Sequence, residues 1–89
     1  MISRSATIIN KLGLHARAAT RLVNCASMFE AELWIRNGEK TINGKSIMGL
    51  MSLLAPMGTR LTITAVGEDA QEAVSALAMA VNKRFGEVG

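Results

Sequence analysis

The run Ala31-Glu32-Leu33-Trp34-Ile35-Arg36 alternates without a break. Ala31, Leu33 and Ile35 fall on one side, and Glu32, Trp34 and Arg36 on the other. Period two marks an extended strand that buries one face and wets the other. A sheet of such strands needs apolar cover on one side only. Two further stretches fit the same reading. Ile2 to Ile9 is rich in β-branched residues, and Leu61, Ile63 and Ala65 alternate with Thr62, Thr64 and Val66. A short fourth strand, Lys40 to Asn43, returns from the tight turn signalled by Asn37-Gly38. Trp34 then sits on the polar side as a cross-strand packing residue.

Three other stretches carry helical spacing. From Ala16 to about Ser27, the residues Ala19, Leu22, Val23 and Ala26 define a buried face, with Arg17, Arg21 and Asn24 away from it. Met28 and Phe29 are expected to close this helix against the core. Ser46 suits the N-cap of a short helix over Ile47 to Leu54. Ile47, Leu50, Met51 and Leu54 form its expected core face, with Met48 and Leu53 left over. So short a helix cannot bury every side, and exposed apolar surface marks partner sites. Pro56 and Gly58 end it. Glu68 and Asp69 open a last helix at its favourable, positive end. Its stripe is Ala70, Ala73, Val74, Leu77, Ala78, Val81 and Phe85, and Gly86 is the stop. The order strand, helix, strand, strand, helix, strand, helix predicts an α+β fold with helices on one face of an antiparallel sheet.

The chain has one histidine, His15, and it falls where a strand-like run gives way to a helix-like one. Asn10 and Gly13 tolerate the backbone angles of the intervening turn. The first N–H groups of a helix lack internal partners and carry the positive end of its dipole, which favours an anion. Arg17 adds a permanent planar cation suited to phosphate oxygens. Neutral imidazole is a good nucleophile. Together these residues describe a place where an imidazole accepts and holds a phosphoryl group.

The stretch Gly13-Leu14-His15-Ala16-Arg17, followed by Ala19, resembles the active-site motif of the HPr family, the histidine-containing phosphocarriers of the bacterial phosphotransferase system. A second stretch, Asn43 to Leu53, resembles that family's regulatory-serine region, and the resemblance covers essentially all 89 residues. It implies an open-faced β-sandwich of four strands and three helices. It implies that His15 takes phosphate from enzyme I and passes it to an enzyme IIA. Ala16 and Arg17 would hold the phosphate through backbone amides and guanidinium. It further implies that Ser46 is the target of a serine kinase/phosphorylase, with Ile47, Met48 and Met51 on the partner surface. The family usually has proline where this chain has Ala18, so the helix start loses a pre-set angle.

Composition excludes other classes. With 49% hydrophobic residues the chain is not disordered, and 3% aromatic makes the core aliphatic. Eighty-nine residues make one small domain spanning 1–89. The single cysteine, Cys25, forms no internal disulfide and reads as a small buried hydrophobe. One His and one Cys supply no metal site, and no cofactor is expected. The ten basic residues are scattered despite a net charge of +3, which argues against nucleic acid. No stretch reaches membrane-spanning length, so the expectation is a cytoplasmic carrier, not itself an enzyme. Two alternatives stay open: a carrier of the nitrogen-related branch, and a mainly regulatory interaction protein acting through Ser46.

Overall fold

The structure, a computed structural model, describes residues 1–89. Its elements are β1 (Ile2–Thr7), α1 (Ala16–Ala26), β2 (Glu32–Asn37), β3 (Lys40–Asn43), α2 (Ile47–Ser52), β4 (Arg60–Val66) and α3 (Ala70–Asn82). A short turn, Arg84–Gly86, follows, with left-handed φ at Arg84 and Phe85. The expected element order is therefore observed. The strands form one antiparallel sheet in the order β1-β4-β2-β3.

The register explains why one face is dry. Ala6 opposes Leu61, Ile35 opposes Ile63, and Leu33 opposes Ala65, all of them buried. On the other face Ser3, Thr64, Trp34 and Asn43 line up across the four strands. Trp34 is half-buried there, as a cross-strand packing residue should be. The helices cover the dry face. α3 packs on β1 and β4, α2 meets β3, and α1 lies against both α2 and α3. The α3 stripe is buried as expected from Ala70 through Val81, with Phe85 the only buried aromatic residue. No helix is long and apolar enough to cross a membrane.

Several local expectations are corrected. β1 ends at Thr7, although Ile8 stays buried and its amide bonds Thr59 O at 2.8 Å. On α1, Ala18 is fully buried and Val23 only partly. Met28 is 80% exposed, because the chain turns out of α1 through Ser27, whose amide bonds Val23 O. The core face of α2 is Leu50 and Leu53; Ile47, Met51 and Leu54 are exposed. The helix is one residue short of the expected pattern even at its C-cap, Leu53, and Leu54 takes a left-handed φ of 49°. That reversal rotates Leu54 off the core stripe and puts Ala55 there instead. Cys25 is half-buried, and burial pushes its thiol pKa up.

Asp69 sits at the start of α3 but makes no cap hydrogen bond to it. Its carboxylate accepts instead from the amides of Glu30 (2.9 Å) and Ala31 (2.8 Å) and so ties the α1–β2 connection to α3. The Glu30 amide is the main reason the carboxyl is held below its usual range. Partial burial opposes this, and the Ala31 amide and Lys45 add to it. A carboxyl depressed on folding stabilises the fold above its unfolded pKa of about 3.9, and that stability is lost as pH falls through the folded value. The Asp69→Ala variant is therefore expected to melt below wild type at pH 7, with the difference vanishing at the acid end of a Tm-versus-pH series.

Candidate functional site

The site begins with a loop that cannot be built from ordinary residues. Gly13 has φ +70°, and a Cβ there would lie 2.6 Å from Ala55 O and 2.8 Å from Pro56 Cα. The next amide, Leu14 N–H, donates to Ala55 O at 2.9 Å. The loop before α1 is thus pressed backbone to backbone against the segment after α2. Asn10 closes it from inside. This side chain is fully buried, and its Nδ2 donates to Gly13 O at 2.8 Å. One of its polar atoms, Oδ1, has no partner.

His15 then falls at the N-cap of α1 in extended conformation (φ −82°, ψ 179°). Its ring Nδ1 accepts from the backbone N–H of Arg17 at 3.2 Å. Imidazole is an uncommon cap, and here it faces its acceptor nitrogen toward the positive end of the helix. The ring is about one-quarter exposed. Its other nitrogen, Nε2, meets Glu87 Oε2. An ionised carboxylate only accepts, and Nδ1 already accepts, so in the neutral ring the proton is on Nε2.

Glu87 is the residue that sequence reasoning missed. It lies 72 positions from His15. No local pattern marks it; it follows Gly86, which reads as a stop. Its second oxygen, Oε1, accepts from Asn10 Nδ2 at 2.9 Å. Partial burial pushes the Glu87 carboxyl up, but the hydrogen bonds from Asn10 and His15 outweigh it. With the nearby charges of His15 and Arg17 they hold it below the usual range.

The other sequence-marked residues divide into two sets. Ala16 and Arg17 are exposed in the first turn of α1, beside His15. A shallow apolar groove joins His15 to Leu12, Met51 and Leu54. Ser46, Ile47 and Met48 do not line this groove. Ser46 caps α2, its Oγ accepting from Gly49 N–H at 3.0 Å. Met48 is 80% exposed and Ile47 and Met51 are partly so.

A family model described as the PTS HPr component phosphorylation site matches residues 2–83. The chain belongs to the HPr family. It is 47% identical to the phosphocarrier protein HPr of Neisseria meningitidis serogroup A over 98% of both chains. It is 45% identical to the phosphocarrier protein NPr of Shewanella violacea over 97% of this chain and 94% of that one. Among solved structures, HPr-C-His from Thermoanaerobacter tengcongensis is 41% identical and superposes with a TM-score of 0.93 over 98% of each chain. The family is that of phosphocarrier components of the phosphotransferase system, and its open-faced sandwich is the fold described above.

The backbone approach at Gly13 predicts the cost of disturbing the site. A Gly13→Ala substitution adds a methyl against a backbone carbonyl that the Leu14 amide holds, and forces a left-handed φ on an L side chain. It is expected to cost about 1–3 kcal/mol. Urea unfolding should show it as a lower midpoint with an unchanged slope.

Proposed function

We propose that this chain is a phosphoryl carrier that takes phosphate on His15 from phospho-enzyme I and passes it to enzyme IIA components. The observation that carries this reading is the orientation of the ring: Nδ1, free of a proton, faces the N-terminus of α1. In the transfer step Nδ1 gives up the hydrogen bond it accepts from the Arg17 amide, and its freed lone pair attacks phosphorus. The new N–P bond forms as the donor's bond to phosphorus breaks, and that bond's electron pair stays with the donor. The ring keeps its Nε2 proton and becomes an imidazolium. For hand-over the ring then leaves as a neutral imidazole, a good leaving group, so the same site serves both directions.

Ala16 and Arg17 compensate the phosphate. The amides of Ala16 and Arg17 have no acceptor within the helix; on loading, the Arg17 amide passes from Nδ1 to a phosphate oxygen, and the Arg17 guanidinium adds charge-assisted bonds. A ring only partly exposed, on a helix end rather than in a deep pocket, suits exchange between two large partners. The groove from His15 to Met51 and the exposed Ile47 and Met48 form an apolar docking surface for those partners.

Ser46 is the regulatory position. A phosphate on it would add roughly −1.5 to −2 charge at the start of α2, where the helix dipole tolerates it. It would stand beside the exposed methionines and oppose an acidic or apolar partner. The switch acts on partner affinity with little change of fold. A serine kinase/phosphorylase would be its writer. The enzyme I that loads the chain, of the sugar or the nitrogen-related branch, separates the two carrier readings.

Incubation with enzyme I and phosphoenolpyruvate, read by mass spectrometry, is expected to add one acid-labile phosphate that is absent in His15→Ala. No phosphate on wild type with a competent enzyme I would overturn the carrier reading. The Arg17→Ala variant should be loaded roughly tenfold more slowly, the worth of one charge-assisted hydrogen bond. A Ser46→Asp variant should raise the KM for phospho-enzyme I with kcat and Tm nearly unchanged; loading as fast as wild type at low concentration would refute the switch.

A further inference from the structure

The transfer step above makes no use of Glu87, yet the fold goes to some length to deliver it. After α3 ends, Arg84 and Phe85 take left-handed φ values of 57° and 54°, which L side chains adopt at a cost. The turn buries the Phe85 ring, and the Phe85 carbonyl accepts from the Arg21 guanidinium. Gly86, at φ +80°, passes so close to Arg21 that a Cβ would lie 2.9 Å from its guanidinium nitrogen. The chain that leaves this turn sets Glu87 beside His15.

The carboxylate engages two donors at once. Oε1 takes Asn10 Nδ2–H at 2.9 Å, and Oε2 takes His15 Nε2–H. Asn10 is itself fully buried and anchored to Gly13 O, so the first of these bonds holds Glu87 in place for the second. The two donors meet different oxygens, so a carboxamide in the same place would turn its NH2 toward one of them and lose that bond. Glu87 is also the one acidic side chain in the cleft it lines, facing Lys11 from the loop and Arg17 and Arg21 from α1. Those cations favour a phosphate but disfavour a positive ring, and Glu87 is the counterweight.

We propose that Glu87 is a positioning residue for phosphoryl transfer: held by Asn10, it keeps the His15 ring proton on Nε2 and balances the imidazolium formed when Nδ1 takes the phosphoryl group. This rests on the carrier reading of His15. The bonds made and broken are those given above, and no proton passes to Glu87. The carboxyl is held low and stays ionised through the neutral range, so the counter-charge is present wherever the carrier works.

The test is Glu87→Gln, which preserves size, with Glu87→Ala as a second variant and Glu39→Gln, in the β2–β3 turn, as control. Loading by phospho-enzyme I is followed as a pH profile, the His15 ring proton by NMR, and stability by Tm. Both Glu87 variants are expected to load about tenfold more slowly at pH 8. Their pH profile should move to lower pH, and the Nε2 proton should exchange faster with solvent. A change of Tm with wild-type loading, pH profile and ring-proton exchange would show that Glu87 only clamps the tail and would overturn the inference. If wild type takes phosphate on His15 and both variants match it, the inference falls and the carrier reading stands. A wild-type chain that takes no phosphate removes both.

Discussion

The geometry of the site depends on one close approach, Gly13 against Ala55 and Pro56. With a Cβ absent, the loop after β1 lies flat on the segment after α2, and Leu14 N–H reaches Ala55 O at 2.9 Å. That contact sets where α1 starts. Starting α1 at Ala16 makes His15 its N-cap, and the cap geometry aims Nδ1 at the Arg17 amide. The same loop is closed from inside by buried Asn10, whose amide bridges Gly13 and Glu87. A buried amide with one orphaned oxygen carries a desolvation cost, which its two donated bonds offset in part.

The one-sided sheet frees the rest of the molecule to serve partners. All three helices lie on one face and share one aliphatic core, so the starts of α1 and α2 both reach the surface. α2 is too short to bury more than Leu50 and, just past its end, Leu53. Its remaining apolar side chains are left in solvent, joined to His15 through the groove that Leu12, Met51 and Leu54 line. The acidic element comes from the far end of the chain, across a turn that accepts two left-handed L residues. Strain of that kind persists only where surrounding contacts hold it, here the buried Phe85 ring and the Arg21 bond to its carbonyl.

Periodicity made most of the fold readable. The alternation in Ala31–Arg36 and Leu61–Val66 assigned the buried strand faces without error, and the α3 stripe was buried throughout. Patterns failed where the chain turned within a residue or two. The left-handed Leu54 ended the helical register that would have placed it in the core, and the exit from α1 put Met28 in water. On the candidate site, the histidine, its helix-start position and the Arg17 neighbour are local features, and the serine cap of α2 is another.

What the sequence determined by itself, then, is whatever acts over one or two turns of chain: strand faces, helix stripes, the helix-start position of His15, the cap Ser46, and the glycine that the turn at residue 13 requires. What only the tertiary structure decided is strand order and the company His15 keeps. Strand order depends on which edges meet once the helices have packed, and no period in the chain records it. Glu87 reaches the ring from 72 residues away, through a turn whose strain is repaid by contacts with α1. Such a contact depends on the sum of all the packing between its two ends, which a local pattern does not contain.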